Sequence, residues 1–424
     1  MNRRRLVTLT AAAVATLTIA LSGCTAAGSP SPTKTAATGS VVLWMYPVIK
    51  DPAASKKFWD DTAASFEKAH PGITLDIQLQ TFDKRDAQIS SALAANSGPD
   101  IVLITPDQAA TYLNVGGLLP VDDALKSSRS DFFPASVKAA QFDGKTYGVP
   151  IFQNVFTTAY NTKVFTDAGL KLPKTWDDIR AAAPVLAKQG VSVMDYVGNP
   201  EQTLNMSFYP LLWQAGGHVF SDGGKKVAFD SKEGVSALSF LVDLAKSGGL
   251  PADAATEGVA VDGSPMAAGK VGLRQMTSLP ELKQLRGSLG DSTVTFGAPI
   301  TGKKTVTYGN PGLLALTSIN KSANRDAAYE VLRYLSSADF QTSLVTAAGN
   351  LPTRTDVKLA QSGPDLVAMQ DALKSAYAGE PSAASRQVMS ILAPYVQSAL
   401  RGDLSPKAAL AKAAAEAQDA LDRS

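Results

Sequence analysis

Between Ile73 and Leu79, apolar Ile73, Leu75, Ile77 and Leu79 alternate with Thr74, Asp76 and Gln78, which predicts a strand buried on one face. Upstream, Val41 to Trp44 is a short buried-strand candidate. A helix over 55–70 places Phe58, Trp59, Ala63, Phe66 and Ala69 on one stripe, and Pro71-Gly72 stops it. A second helix spans 83–96 and ends before Gly98-Pro99. Residues 100–104 (DIVLI) are apolar throughout after Asp100, as in a strand covered on both faces. Strand, helix, strand, helix, strand with short turns implies βαβ units with helices on the faces of a sheet.

Residues 141–165 organise the rest. Asp143-Gly144 signals a turn, and two β-prone runs follow, 146–152 and 155–160, separated by the polar pair Gln153-Asn154. Asn161 then caps a helix. Further on, Thr175 and Asp178 make a capping box for a helix over 175–188, and 191–194 is a strand. A helix over 201–215 ends at Gly216-Gly217. Ser231 caps a helix whose inner face carries Val235, Leu238, Leu241, Val242 and Ala245, ended by Gly248-Gly249. Strands are expected at 269–273 and after Gly309-Asn310-Pro311-Gly312-Leu313. The remainder reads as helical, including an amphipathic segment over 323–335.

Length and charge narrow the classes. A chain of 424 residues suits two domains better than one core. Its net charge of +2 has no basic block beyond the first residues, so nucleic-acid binding has no electrostatic footprint. With two histidines, His70 and His218, and one cysteine, Cys24, little is available for a zinc site, a histidine-based triad or a disulfide. His70 before Pro71-Gly72 reads as a solvated helix end. No cofactor is expected, since no G-x-S-x-G elbow, H-E-x-x-H, Walker A loop or G-x-G-x-x-G occurs. The acidic pairs Asp122-Asp123 and Asp177-Asp178 sit at helix starts, where negative charge is favourable without any catalytic role.

Residues 1–24 carry Arg3, Arg4 and Arg5, then apolar and small residues over 6–20, as in an export signal. Leu21-Ser22-Gly23-Cys24 resembles a bacterial lipobox, which implies lipidation at Cys24. Residues 25–40, small, polar and proline-bearing, suit a flexible linker.

Several runs, in order, resemble bacterial extracellular solute-binding proteins of ABC importers, the family 1 sugar-binding branch. They are Phe66 to Leu75 (FEKAHPGITL), Gly98 to Val102 (GPDIV), Gly116 to Asp123 (GGLLPVDD), Gly144-Lys145 with Tyr147-Gly148-Val149-Pro150, Tyr160-Asn161-Thr162-Lys163 with Phe165, Asn350 to Arg354, and Ala399 to Leu410. The resemblance covers roughly 41–421. It implies an α/β, two-lobed periplasmic-binding-protein-like fold of type II. Each lobe would be a mostly parallel sheet flanked by helices, with the ligand cleft between lobes. Residues 41–152 with 301–350 would form lobe 1, and 153–300 with 351–424 lobe 2. The chain would cross at 141–165, near 294–300 and near 350–354. The implied protein is no enzyme. It is a monomer, lipid-anchored on the outer face of the cytoplasmic membrane, that hands a carbohydrate to ABC permease subunits. A secreted, lipid-anchored glycoside hydrolase, or the same fold with a non-sugar ligand, is the alternative.

Sugars present apolar ring faces and many hydroxyls, so a site needs aromatic plates beside groups that fix directional hydrogen bonds. Open α/β sheets place ligands at strand ends. The candidates are Trp44 and Tyr46 after the first strand, Thr105 and Asp107 after 100–104, and Gln153, Asn154 and Phe156 in the crossing. Trp213, Arg274, Tyr308, Asn310 and Arg354 complete the set. Trp44 and Trp213 are expected as the plates, dispensable for stability; Trp59 and Trp176 are expected to pack.

Overall fold

The computed structural model describes residues 37–199, 203–258, 260–359 and 363–423; Cys24, the export signal and most of the linker lie outside them. Eleven strands among the described residues build the two larger sheets: β1 (Gly39–Met45), β2 (Ile73–Leu79), β3 (Ile101–Ile104), β4 (Leu118–Leu119), β5 (Val149–Val155), β6 (Thr157–Asn161), β7 (Ser192–Met194), β8 (Val271–Thr277), β9 (Val294–Gly297), β10 (Thr307–Thr317) and β11 (Ala376–Tyr377). One sheet runs β11-β10-β3-β1-β2, with β4 and β5 also paired to β10; the other runs β9-β6-β8-β7.

Alternation places Ile73 and Leu75 of β2 inside and Thr74 and Asp76 outside, while β3 is buried at every position, as its unbroken apolar run requires. The helix Pro52–Ala69 buries Trp59 and Phe66 on the seven-stranded sheet, capped by Asp51, whose side chain accepts from the Ala54 N–H at 2.7 Å. Asp143 (φ 47°) and Gly144 (φ 77°) form the tight turn expected of that pair. Thr175 and Asp178 make the capping box of helix Trp176–Ala187, and Trp176 is buried with its ring stacked on Phe240.

Among the described residues three core clusters fill the fold. One lies around β1, β2 and β3 and the helices Arg325–Tyr334 and Ala338–Ala348. The other two cover opposite faces of the four-stranded sheet, so adjacent Ala159 and Tyr160 of β6 point into different cores. The helices Ser385–Leu400 and Pro406–Asp422 pack on the Tyr160 side. The result is a two-lobed α/β fold, each lobe a sheet with its own core.

Three details differ from the sequence reading. Both sheets are mixed, because β10 enters antiparallel to β3 and β5, and β6 antiparallel to β8 and β9. Gln153 and Asn154 do not break the β-run: they pair inside β5 with Pro311 and Asn310, and the break falls at Phe156, between β5 and β6. The helix expected over 201–215 is a 3₁₀ turn, Leu204–Met206, followed after Ser207 by helix Phe208–Gln214. Among the described residues no helix is long and apolar enough to cross a membrane.

Candidate ligand-binding cleft

A cavity of about 720 Å³ opens where the ends of β5 and β10 meet the segment that follows helix Pro364–Leu373. Pro106 and Asp107 at the start of helix Pro106–Asn114, Phe133 and Ser136, and Gln153 and Pro311 form one wall. Residues 376–381 form the other, contributing the Tyr377 ring and the Glu380 carboxylate. The volume falls in the range of small-molecule sites, and the wall mixes aromatic faces with a few polar groups.

Helix geometry sets the polar side. Thr105 is the N-cap of helix Pro106–Asn114 and shares a capping box with Gln108; this leaves Asp107 in the first turn, where negative charge is favoured. Asp107 is buried, and its Oδ2 accepts from Arg386 Nη1 at 3.4 Å. Arg386 also donates through Nε to Asp86 Oδ2 at 2.6 Å. Asp86 accepts from Gln108 and, at 3.4 Å, from the Tyr112 hydroxyl. Burial works against the Asp86 charge, yet Arg386 and Arg85 outweigh it and hold this carboxyl below the usual range. The same two carboxylates overcome the desolvation of Arg386 and push its guanidinium up.

The aromatic side is a stack. Tyr308 lies between Phe156, at 5.8 Å between ring centroids, and Trp213, at 6.5 Å; the Tyr377 ring meets the Trp213 edge at 4.9 Å. Burial raises the Tyr308 phenol well above its ordinary value. The Trp213 Nε1, the Tyr209 hydroxyl and the Asn310 Nδ2 are buried without a hydrogen-bond partner, a polar deficit that the interior of a protein normally avoids. Residues 378–380 and Asp107 border both the cavity and a small void against Trp213, and so stand between that ring and the cavity. Gly379 has φ 90°, and a Cβ there would sit 3.4 Å from the Trp213 ring, so the chain lies flat on the indole.

The structure gathers only part of the candidate set. Asp107 and Gln153 line the cavity; Phe156, Trp213, Tyr308 and Asn310 sit in or beside the aromatic stack at its base. Trp213 is 3% exposed and belongs to a core cluster, contrary to its expected role as an open plate. Asn154 accepts through Oδ1 from Asn350 Nδ2 at 2.7 Å and braces the crossing. Trp44 faces away from the cavity, into a shallow hollow with Lys84 and Gln88, its indole donating to Gln78 Oε1 at 2.9 Å. Tyr46 is fully buried, stacked on Phe82, and burial pushes its phenol up to about 12. Arg274, on β8, is buried beside Asp195, at 3.5 Å. Arg354 holds Asp131 and Asp356 at 3.0 and 2.7 Å and covers the Phe132 ring.

Sequence reasoning did not single out Asp86, Tyr209, Tyr377, Glu380 or Arg386. A signal existed for some of them. Arg85-Asp86 puts opposite charges at a helix start just after Phe82, and Arg386 is a lone cation among small residues (SAASRQ).

Known proteins share this fold. A binding protein of Brucella abortus is 24% identical over 382 residues, covering 88% of this chain and 91% of the relative. The diacetylchitobiose binding protein DasA of Streptomyces coelicolor is 28% identical over 192 residues, 45% of this chain and 43% of the relative. The GacH receptor of Streptomyces glaucescens, whose structures include a complex with acarbose, superposes with a TM-score of 0.76 at 24% identity, covering 91% of this chain and 99% of that one. The model of the bacterial extracellular solute-binding proteins matches residues 46–342. With that match running through both sheets and the segments that join them, the chain belongs to the bacterial extracellular solute-binding protein family.

Proposed function

We propose that this protein captures a carbohydrate, mono- or oligosaccharide, in the cavity at the ends of β5 and β10 and hands it to an ABC permease by hinge closure. The observation that carries the reading is the wall composition. Phe133 and Tyr377 offer faces for sugar rings, while Asp107, Gln153 and Ser136 offer directional hydrogen bonds to hydroxyls, across a cavity of about 720 Å³. DasA, named for binding diacetylchitobiose, and the GacH receptor, crystallised with acarbose, support the same ligand class. In this reading the part built on the seven-stranded sheet moves as one lobe and the part built on the four-stranded sheet as the other, pivoting where β5 gives way to β6 at Phe156. The bound sugar touches both, and so favours the closed arrangement. The protein acts as a monomer, without a cofactor, held at the outer face of the cytoplasmic membrane by a lipid on Cys24.

A thermal-shift and calorimetry panel of mono- and oligosaccharides tests it. One or more sugars should raise the melting temperature and return chemically intact. Sugar cleavage, or a shift produced only by a charged non-sugar ligand, would overturn the reading. The anchor has its own test: a Cys24→Ala protein should appear in the medium or remain unprocessed, and processed protein still held at the membrane would exclude the lipid.

A further inference from the structure

Away from the cavity, two carboxyl side chains are buried against each other. Asp195 follows β7 and is 5% exposed; Glu257 lies in the segment after helix Lys232–Lys246 and is 8% exposed. They lie within hydrogen-bonding reach of one another. No side chain donates to any of their four oxygens in hydrogen-bond geometry, and the Tyr196 backbone N–H beside Asp195 favours the charged form of Asp195 over Glu257. Two carboxyl oxygens in contact attract only when a proton lies between them. Charge balance agrees. Arg274 of β8 stands 3.5 Å from Asp195 and matches one negative charge, and Asp253 adds another nearby negative charge. The helix Ser385–Leu400 brings the uncharged Gln397, which donates to the carbonyls of Gly198 at 3.1 Å and Ala255 at 2.8 Å. Burial raises both carboxyls, and for Glu257 the neighbouring Asp195 raises it further.

We propose that Asp195 and Glu257 share one proton, and that this proton locks segments 195–199 and 253–257 together, making the part of the molecule that carries Trp213 sensitive to mildly alkaline conditions. The two segments meet at backbone contact, with the Asn199 N–H bonded to the Glu257 carbonyl at 3.0 Å. A Cβ on Gly198 would lie 2.2 Å from the Ala254 carbonyl oxygen, so there is no slack to relieve repulsion. Once the proton leaves, two carboxylates face each other with one guanidinium beside Asp195, and the segments must part. Segment 195–199 leads to Leu204–Met206 and helix Phe208–Gln214, which carries Trp213, and Gln397 ties it to the helix that carries Arg386. This proton lock goes beyond the sugar-binding reading, since neither it nor its test depends on the ligand.

For an acid whose folded form favours the proton, stability falls as pH rises above the unfolded value and levels off beyond the folded one. The melting temperature of the unaltered protein should therefore drop by several degrees between about pH 6 and about pH 9. In Glu257→Gln, whose amide supplies a permanent donor, the drop should disappear. Hydrogen exchange in 195–199 and 253–257, corrected for its intrinsic pH dependence, should quicken about tenfold over that range in the unaltered protein and not in the variant. Asp195→Asn is the second variant should Glu257→Gln not fold. The unaltered protein also offers an internal check, the infrared band of a buried carboxylic acid at pH 7 that vanishes on alkaline titration. An unchanged pH slope in a folded variant, or no such band, would overturn the proposal.

Discussion

Arg386 Nε lies 2.6 Å from Asp86 Oδ2, and this contact joins two helices that pack on different cores. Helix Ser385–Leu400 buries Val388, Leu392 and Val396 in the core on the Tyr160 side of the four-stranded sheet; helix Arg85–Ala95 buries Ile89 in the core of the seven-stranded one. A second bond from the same guanidinium reaches Asp107, which lines the cavity. The pair thus acts as a strut across the cleft.

Arg386→Ala should weaken that strut without disturbing either core. Both partners are partly solvated, so the loss in stability is expected at about 1–2 kcal/mol. Small-angle scattering of the sugar-free protein should show a larger radius of gyration. Because the folded Asp86 carboxyl is held below 3.8, its ordinary value, the pair's contribution is present above that pH. It is lost as pH falls through the lower folded value. The unaltered protein and Arg386→Ala should then converge in acid. An identical scattering profile at pH 7 would remove the strut.

Trp213→Ala should cost about 3–5 kcal/mol of stability, as truncation of a core tryptophan does. The ring is 3% exposed, touches Tyr308 and Tyr377 and carries the chain at Gly379 on its face. Trp213→Phe should keep most of the packing. A chemical denaturation midpoint that barely moves in the alanine variant would show that the ring is an open plate after all.

What the sequence disclosed and what it hid divide along a physical line. Local signals were legible: the alternation of β2, the apolar run of β3, the Asp143-Gly144 turn, the Thr175–Asp178 capping box and the inward Trp59 and Trp176 all follow from neighbours in the chain. The cleft contacts were harder, because they depend on partners far away in sequence. Asp86 and Arg386 are 300 residues apart. Trp213 reads as a site aromatic until the chain at 378–380 closes over it, and Gln153-Asn154 reads as a break until β10 supplies pairing partners. Arg274 and Arg354 show the same limit: both follow apolar or extended stretches, yet their charges are matched by carboxylates that nothing local announces.

Asp107→Asn should weaken sugar binding by much more than it lowers the melting temperature, the smaller loss coming from its weakened bond to Arg386. The residue lines the cavity, and its amide replacement keeps an acceptor and nearly the same volume. Loss of a charged acceptor to a sugar hydroxyl is worth about 1.5–3 kcal/mol, which weakens Kd about 10- to 100-fold. Calorimetry on a sugar identified by the panel checks this, with the melting temperature as control. An unchanged Kd would take Asp107 out of the ligand's reach.

The joints between the sheets make the last expectation the most demanding. Backbone passes from β5 to β6 at Phe156 and returns from β9 to β10 over 298–306, and the two passages are bonded to each other. The Phe156 N–H donates to the Tyr308 carbonyl at 3.2 Å, and the Thr307 hydroxyl donates to the Phe156 carbonyl at 2.8 Å. A third passage joins them, with Gln153 and Leu351 exchanging backbone bonds at 2.7 and 3.0 Å. Passages bonded side by side give a pivot at which few dihedrals change while each core stays intact. A saturating sugar should therefore lower the radius of gyration and slow hydrogen exchange both around Asp107 and over 376–381. Gly309 tests the pivot itself: a Cβ there would lie 2.8 Å from the Ala376 Cβ and 2.9 Å from the Asn154 carbonyl oxygen. Gly309→Ala should force these strands apart, lowering both the melting temperature and the sugar affinity. If the sugar instead binds tightly, leaves the scattering profile unchanged and protects only one wall of the cavity, the two sheets form a rigid body and closure plays no part.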